Sequence, residues 1–109
     1  MTIAIGNVLT TATTIYTSSG NTVVTFLSLC NYSANSVTAN IYVVPNGGMA
    51  STNNIVISTL ELVSNVTTSG DTYQFYVGNE KLVLGTGDTI QVQASANNSI
   101  TTITSYCAA

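Results

Sequence analysis

Val37-Thr38-Ala39-Asn40-Ile41-Tyr42-Val43-Val44 alternates apolar and more polar residues for eight positions, and Pro45-Asn46-Gly47-Gly48 stops it. A period of two puts Val37, Ala39, Ile41 and Val43 on one face of a strand and Thr38, Asn40, Tyr42 and Val44 on the other. Proline cannot extend a ladder, and the two glycines let the chain turn. Both neighbouring stretches read the same way. On the N-terminal side, Thr22 to Tyr32 is the longest apolar run, and its apolar residues point both ways, as in a central or bulged strand. On the C-terminal side, Ile55 to Val63 forms a further strand, and Tyr73, Phe75 and Val77 then alternate with Thr72, Gln74 and Tyr76.

The remaining runs complete the pattern. Thr13 to Thr17 ends at Ser18-Ser19-Gly20-Asn21, a cluster suited to a hairpin loop because Gly and Asn tolerate positive φ. Lys81 to Leu84 is short and is followed by the tight turn Gly85-Thr86-Gly87-Asp88. Ile90, Val92 and Ala94 alternate with Gln91, Gln93 and Ser95; Ala96 to Ser99 turns, and Ile100 to Cys107 closes the chain. The last two strands read as a hairpin whose outer face carries Gln91, Gln93 and Ser95, with edges that lack charged residues to block pairing.

About eight short strands with turns at this spacing predict an all-β fold: a single antiparallel β-sandwich, jelly-roll or Ig-like, spanning 1–109. Residues 1–12 are an N-terminal arm or the first strand. Thr, Val and Ile make up 40 of the 109 residues, which favours pleated structure over helix.

Charge is the scarcest property of the chain. Glu61, Asp71, Glu80, Lys81 and Asp88 are its five charged residues, and it has no His. Acid–base catalysis draws on His or paired carboxylates, so the expectation is that the protein is not an enzyme. Asp71, Glu80 and Asp88 fall at turns, where carboxylates are solvated or cap backbone N–H groups. One lysine gives no basic patch for nucleic acid or anionic lipid. No apolar run is long enough for a transmembrane helix, and Met1 to Gly6 lacks the positive region of a signal peptide. Synthesis in the cytoplasm is expected, with no direct nucleic-acid or membrane partner.

Cys30 and Cys107 have neither a CxxC partner nor a His, which argues against zinc and against a catalytic thiolate. They read as free buried thiols, with a disulfide as the alternative. Gly85-Thr86-Gly87 lacks the Gly-Lys-Ser/Thr ending and the helix of a phosphate loop. Sequons at Asn31, Asn65 and Asn97 follow from the abundance of Asn, Ser and Thr. No cofactor is expected.

Thr, Ser and Asn total 43 residues, so the surface is polar yet nearly uncharged. Such a surface has little self-repulsion and suits assembly. Residues 46–54, rich in Gly and Asn, form the exposed loop best placed for a role. Tyr32, Tyr42 and Tyr76 fall on polar strand faces or turns, where they suit a protein interface or, alternatively, sugar stacking.

The stretch from Ile15 to Tyr106 resembles small virion structural proteins of tailed bacteriophages. The features that carry the likeness are Thr22 to Ser33 (a strand ending in Asn and a small polar turn), Val37 to Pro45, and Lys81-Leu82-Val83-Leu84-Gly85-Thr86-Gly87-Asp88-Thr89-Ile90-Gln91-Val92-Gln93-Ala94-Ser95. The resemblance implies a non-enzymatic β-sandwich located in the virion, foremost a capsid cement (decoration) protein. Its partners would be the major capsid protein or other virion proteins, and further copies of itself, as a trimer. A neck, tail or fibre component, or a host-glycan-binding module, is the alternative. On this reading Met1, Thr2, Ile3, Asn46, Gly47, Gly48, Met49, Tyr42 and Tyr76 are the candidate interface residues.

Overall fold

A computed structural model describes residues 2–63, 72–75 and 82–109, with the backbone alone at 72–75. Among these residues there are nine strands and no helix: β1 (Thr2–Asn7), β2 (Thr13–Thr17), β3 (Thr22–Asn31), β4 (Val37–Val44), β5 (Ile55–Leu62), β6 (Thr72–Phe75), β7 (Leu82–Leu84), β8 (Thr89–Ala94) and β9 (Ile100–Ala108). Thr2–Asn7 is the first strand rather than a free arm. The predicted turn at 65–71 lies outside the described residues.

The strands build two antiparallel sheets. Sheet A runs β1-β9-β3-β6, with β7 also on β3, and sheet B runs β2-β8-β4-β5. β6 pairs with Leu27–Cys30 and β7 with Thr22–Val24, so the two share one strand position along β3. Counted this way the sandwich has eight positions, and the chain switches sheet at almost every connection. β1 and β2 lie in opposite sheets, and the first and last strands are neighbours. This is jelly-roll order, not the Ig order in which the first two strands share a sheet.

Two expected hairpins are therefore corrected. Ser18–Asn21 joins β2 in sheet B to β3 in sheet A, and β8 and β9 likewise belong to opposite sheets. Gly20 does supply the positive φ of 71° that the bend needs. β8 lies between β2 and β4, and β9 between β1 and β3, so neither is an edge.

The alternation decides which residues fill the core. Ile15, Val24, Leu27, Leu29, Ile41, Leu62, Ile90, Val92 and Ile100 pack between the sheets. β3 is central and carries a bulge between Val24 and Phe26. Tyr16 of sheet B meets Tyr106 of sheet A, with ring centroids 4.4 Å apart, and its hydroxyl donates to Thr22 Oγ1. Cys30 is opposite Thr101 and Cys107 opposite Val23, towards opposite ends of β3; both thiols are free and half-buried. Seven residues of extended chain separate Cys30 from Val23, roughly 20 Å, far beyond disulfide reach.

Candidate interface

β1 sets the character of one flank. Val8 N–H donates to Ile100 O at 3.0 Å, one step beyond the Asn7–Thr101 pair. Hydrogen-bonded and non-hydrogen-bonded pairs alternate in an antiparallel ladder. Thr2, Ala4 and Gly6 therefore bond to β9, while Ile3, Ile5 and Asn7 turn their N–H and C=O groups to the open edge. The side chains of Ile3 and Ile5 point to the outside of sheet A, 57% and 72% exposed.

This outer face is apolar across several strands. Ile5 lies opposite Ile103 on β9, and Ile3 opposite Ser105. Ile103 and Ser105 in turn lie opposite Ser28 and Phe26 of β3, and Val23 lies opposite Val83 of β7. Ile103 and Val83 are exposed, and Phe26 and Val23 are half-buried. The apolar residues of Thr22–Tyr32 point both ways because β3 contributes to two surfaces, the core and this face. Meanwhile Thr102 and Thr104 of β9 face the core, where neither hydroxyl has a hydrogen-bond partner among the described residues. β9 thus buries threonines and exposes an isoleucine.

The opposite outer face, on sheet B, is polar. Thr38, Asn40, Gln91 and Gln93 line it, and Glu61 is exposed on β5, as is one apolar residue of that strand, Val56. Tyr42 belongs to this face, as the alternation implied, but it is a correction as an exposed aromatic: it is only 8% exposed. Its hydroxyl reaches β8 and donates to Gln93 Oε1 at 3.1 Å. Val44 is also buried, and Gly48 of the following loop folds back over it.

The loop at 46–54 is exposed as expected, and Met49 at its tip is 82% exposed. Its base is fixed. Asp88 Oδ1 accepts from Asn46 N–H, and Asp88 Oδ2 accepts from Gly85 N–H. Gly87, at φ 84°, sits so close to the Asn46 side chain that any Cβ would overlap it. Asp88 thus caps its own turn and holds the loop, as the turn reading of that acid anticipated. Asn54 closes the loop by donating from Nδ2 to Met49 O.

Thr2 and Ile3 therefore belong to the apolar flank, whereas Asn46, Gly47, Gly48 and Met49 form a separate loop beside sheet B. Met1 and Tyr76 lie outside the described residues. Ile5, Ile103 and Val83, the exposed apolar residues of that flank, were not among the sequence candidates; the Thr2-Ile3-Ala4-Ile5 alternation was the available signal.

No cavity opens among the described residues, and no cluster of His, Cys, Asp or Glu there could hold a metal. Comparison with protein-family models, curated proteins and solved structures yields no match.

Proposed function

We propose that this chain is a non-enzymatic structural protein of a tailed-bacteriophage particle, and specifically a capsid cement protein that binds the major capsid protein and further copies of itself. One observation carries the reading: the outer face of sheet A sets Ile5 beside Ile103 on a molecule with almost no charged surface. Exposed apolar faces rimmed by polar residues mark contact surfaces. A cement protein adds buried area between capsid subunits from many copies. Hydroxyl-rich surroundings let it do so without desolvating ions. The sequence likeness to phage virion proteins points the same way, and jelly rolls recur in viral capsid domains, a fold-level analogy.

The test is sedimentation of the purified protein with and without capsids of the source phage. Loading onto heads at high stoichiometry, with the trimer assembled on the particle, is the expected result. Binding to tails alone would move the protein to a neck or tail role. Failure to bind any particle, together with specific binding on a glycan array, would overturn the structural reading.

A further inference from the structure

We propose that β1 is a self-pairing seam: two copies join antiparallel through their β1 edges, about a two-fold axis at Ile5, into one continuous sheet. This deepens the self-association in the proposed function but rests on the geometry of β1, so it can hold even if the particle is not the partner.

The edges of the two sheets are guarded unequally. β5, one edge of sheet B, carries the exposed Glu61, two register shifts against β4 and Thr59 at φ 56°. β2, the other edge of that sheet, is irregular between Thr14 and Tyr16. Charges and bulges of this kind protect edges from unwanted pairing. β1 has neither. Its register with β9 is unbroken for six residues, and Thr2 to Asn7 contains no charge and no proline.

The free groups of β1 are self-complementary. Ile3, Ile5 and Asn7 each present one donor and one acceptor at the open edge. An antiparallel mate centred on Ile5 sets Ile5 against Ile5 of the second copy, and Ile3 against its Asn7. Every donor and acceptor that Ile3, Ile5 and Asn7 present on either strand then finds its partner on the other. Moving the centre to Ala4 or Gly6 leaves one of the three residues unpaired in each copy. A second copy is the occupant that meets this pattern without any further assumption about sequence. The two-fold axis also places both apolar outer faces on the same side, with the two Ile5 side chains adjacent.

A six-residue seam is roughly 20 Å long. On a two-layer flank it buries less than the roughly 1,200 Å² of a standard stable interface. The dimer is therefore reversible and concentration-dependent in free solution, and fixed only where copies are crowded. A two-fold seam joins copies in pairs, so it can link neighbouring trimers but does not itself make one.

The experiment uses the full chain, without capsids. In sedimentation velocity over a concentration series, the wild type should pass from monomer to dimer. Ile5→Pro removes an N–H that points away from β9, so the fold should persist by circular dichroism; proline is tolerated where the N–H faces the open side of an edge. Its dimer should weaken by ~30-fold or more, the loss of one hydrogen bond of ordinary strength per copy. Disulfide trapping reports the register in a Cys30→Ala, Cys107→Ala background. Ile5→Cys should cross-link to itself, because facing Cα atoms in such a pair are about 5.5 Å apart. Ile3→Cys should cross-link to Asn7→Cys and not to itself. A wild type that stays monomeric at millimolar concentration would overturn the proposal, as would a dimer unaffected by Ile5→Pro or an Ile3→Cys chain that self-links. Dimerisation without capsid binding would instead retain the seam and reject the cement role.

Discussion

Replacing Thr104 with valine should make the protein more stable. Thr104 is inaccessible to solvent, and its Oγ1 has no hydrogen-bond partner among the described residues. It faces the core from β9, opposite Leu27 on one side and Ala4 on the other. A hydroxyl taken from water without a replacement bond costs roughly 1–3 kcal/mol. Valine has nearly the same shape, keeps the β-branch that strands favour, and places a methyl where the oxygen was. Some of the penalty is recovered in threonine by relaxation, so about 1–2 kcal/mol of stabilisation is expected. For a domain of this size that raises Tm by roughly 5–10 °C. Urea denaturation is the cleaner assay: the midpoint should rise with the slope unchanged. A variant that unfolds at lower urea would refute the reasoning, because it would show that the hydroxyl is bonded in the folded protein.

Asn31→Ala should cost about 2–4 kcal/mol in the same assay, since the buried side chain donates from Nδ2 to Asn35 O and Leu62 O and accepts at Oδ1 from Ser33 N–H. Asp88→Ala should cost about 1–2 kcal/mol and speed hydrogen exchange at Asn46 and Gly85, with Asp88→Asn intermediate. Gly6→Ala should destabilise by about 1–3 kcal/mol, because a Cβ there would meet Thr102 Oγ1 at 2.9 Å and Ile15 Cγ2 at 3.1 Å. Combining it with Thr102→Ala should recover part of that loss, measured as a double-mutant cycle. Thiol titration in denaturant without reductant should find two free thiols per chain, and a count of zero would contradict the placement of Cys30 and Cys107 along β3.

Local pattern carried the strands well and the topology poorly. The alternation over Val37–Val44 gave β4 its core face, and the two-way apolar pattern of Thr22–Tyr32 marked β3 as central or bulged; it is both. The assumed hairpins failed because turn chemistry specifies a bend and not the next strand's partner. Ser18–Asn21 bends as its Gly and Asn residues require, yet in a jelly roll the bend carries the chain to the other sheet. Tyr42 shows a second limit. Its side of the strand was legible, but the neighbours that cover it come from β8, fifty residues away in sequence. The apolar flank escaped notice because its parts are scattered: Ile3, Ile5, Val83 and Ile103 become neighbours only once β1, β9, β3 and β7 are set side by side.

The two sheets differ in a way that bears on how copies can join. Sheet B has a polar outer face and irregular edges, one of which carries a carboxylate. Sheet A has an apolar outer face and, in β1, a regular uncharged edge. A molecule with two complementary sticky edges could add copies head to tail without limit, the route by which edge strands grow fibres. A self-complementary edge behaves differently. Pairing β1 with β1 consumes that edge in both copies, so growth along it closes at two. The bare edge is then compatible with a soluble chain of very low charge, because the contact that satisfies it also terminates it. The apolar face left on one side of the joined sheets is then free to meet a different surface, and on a capsid shell that surface would be supplied by the subunits beneath.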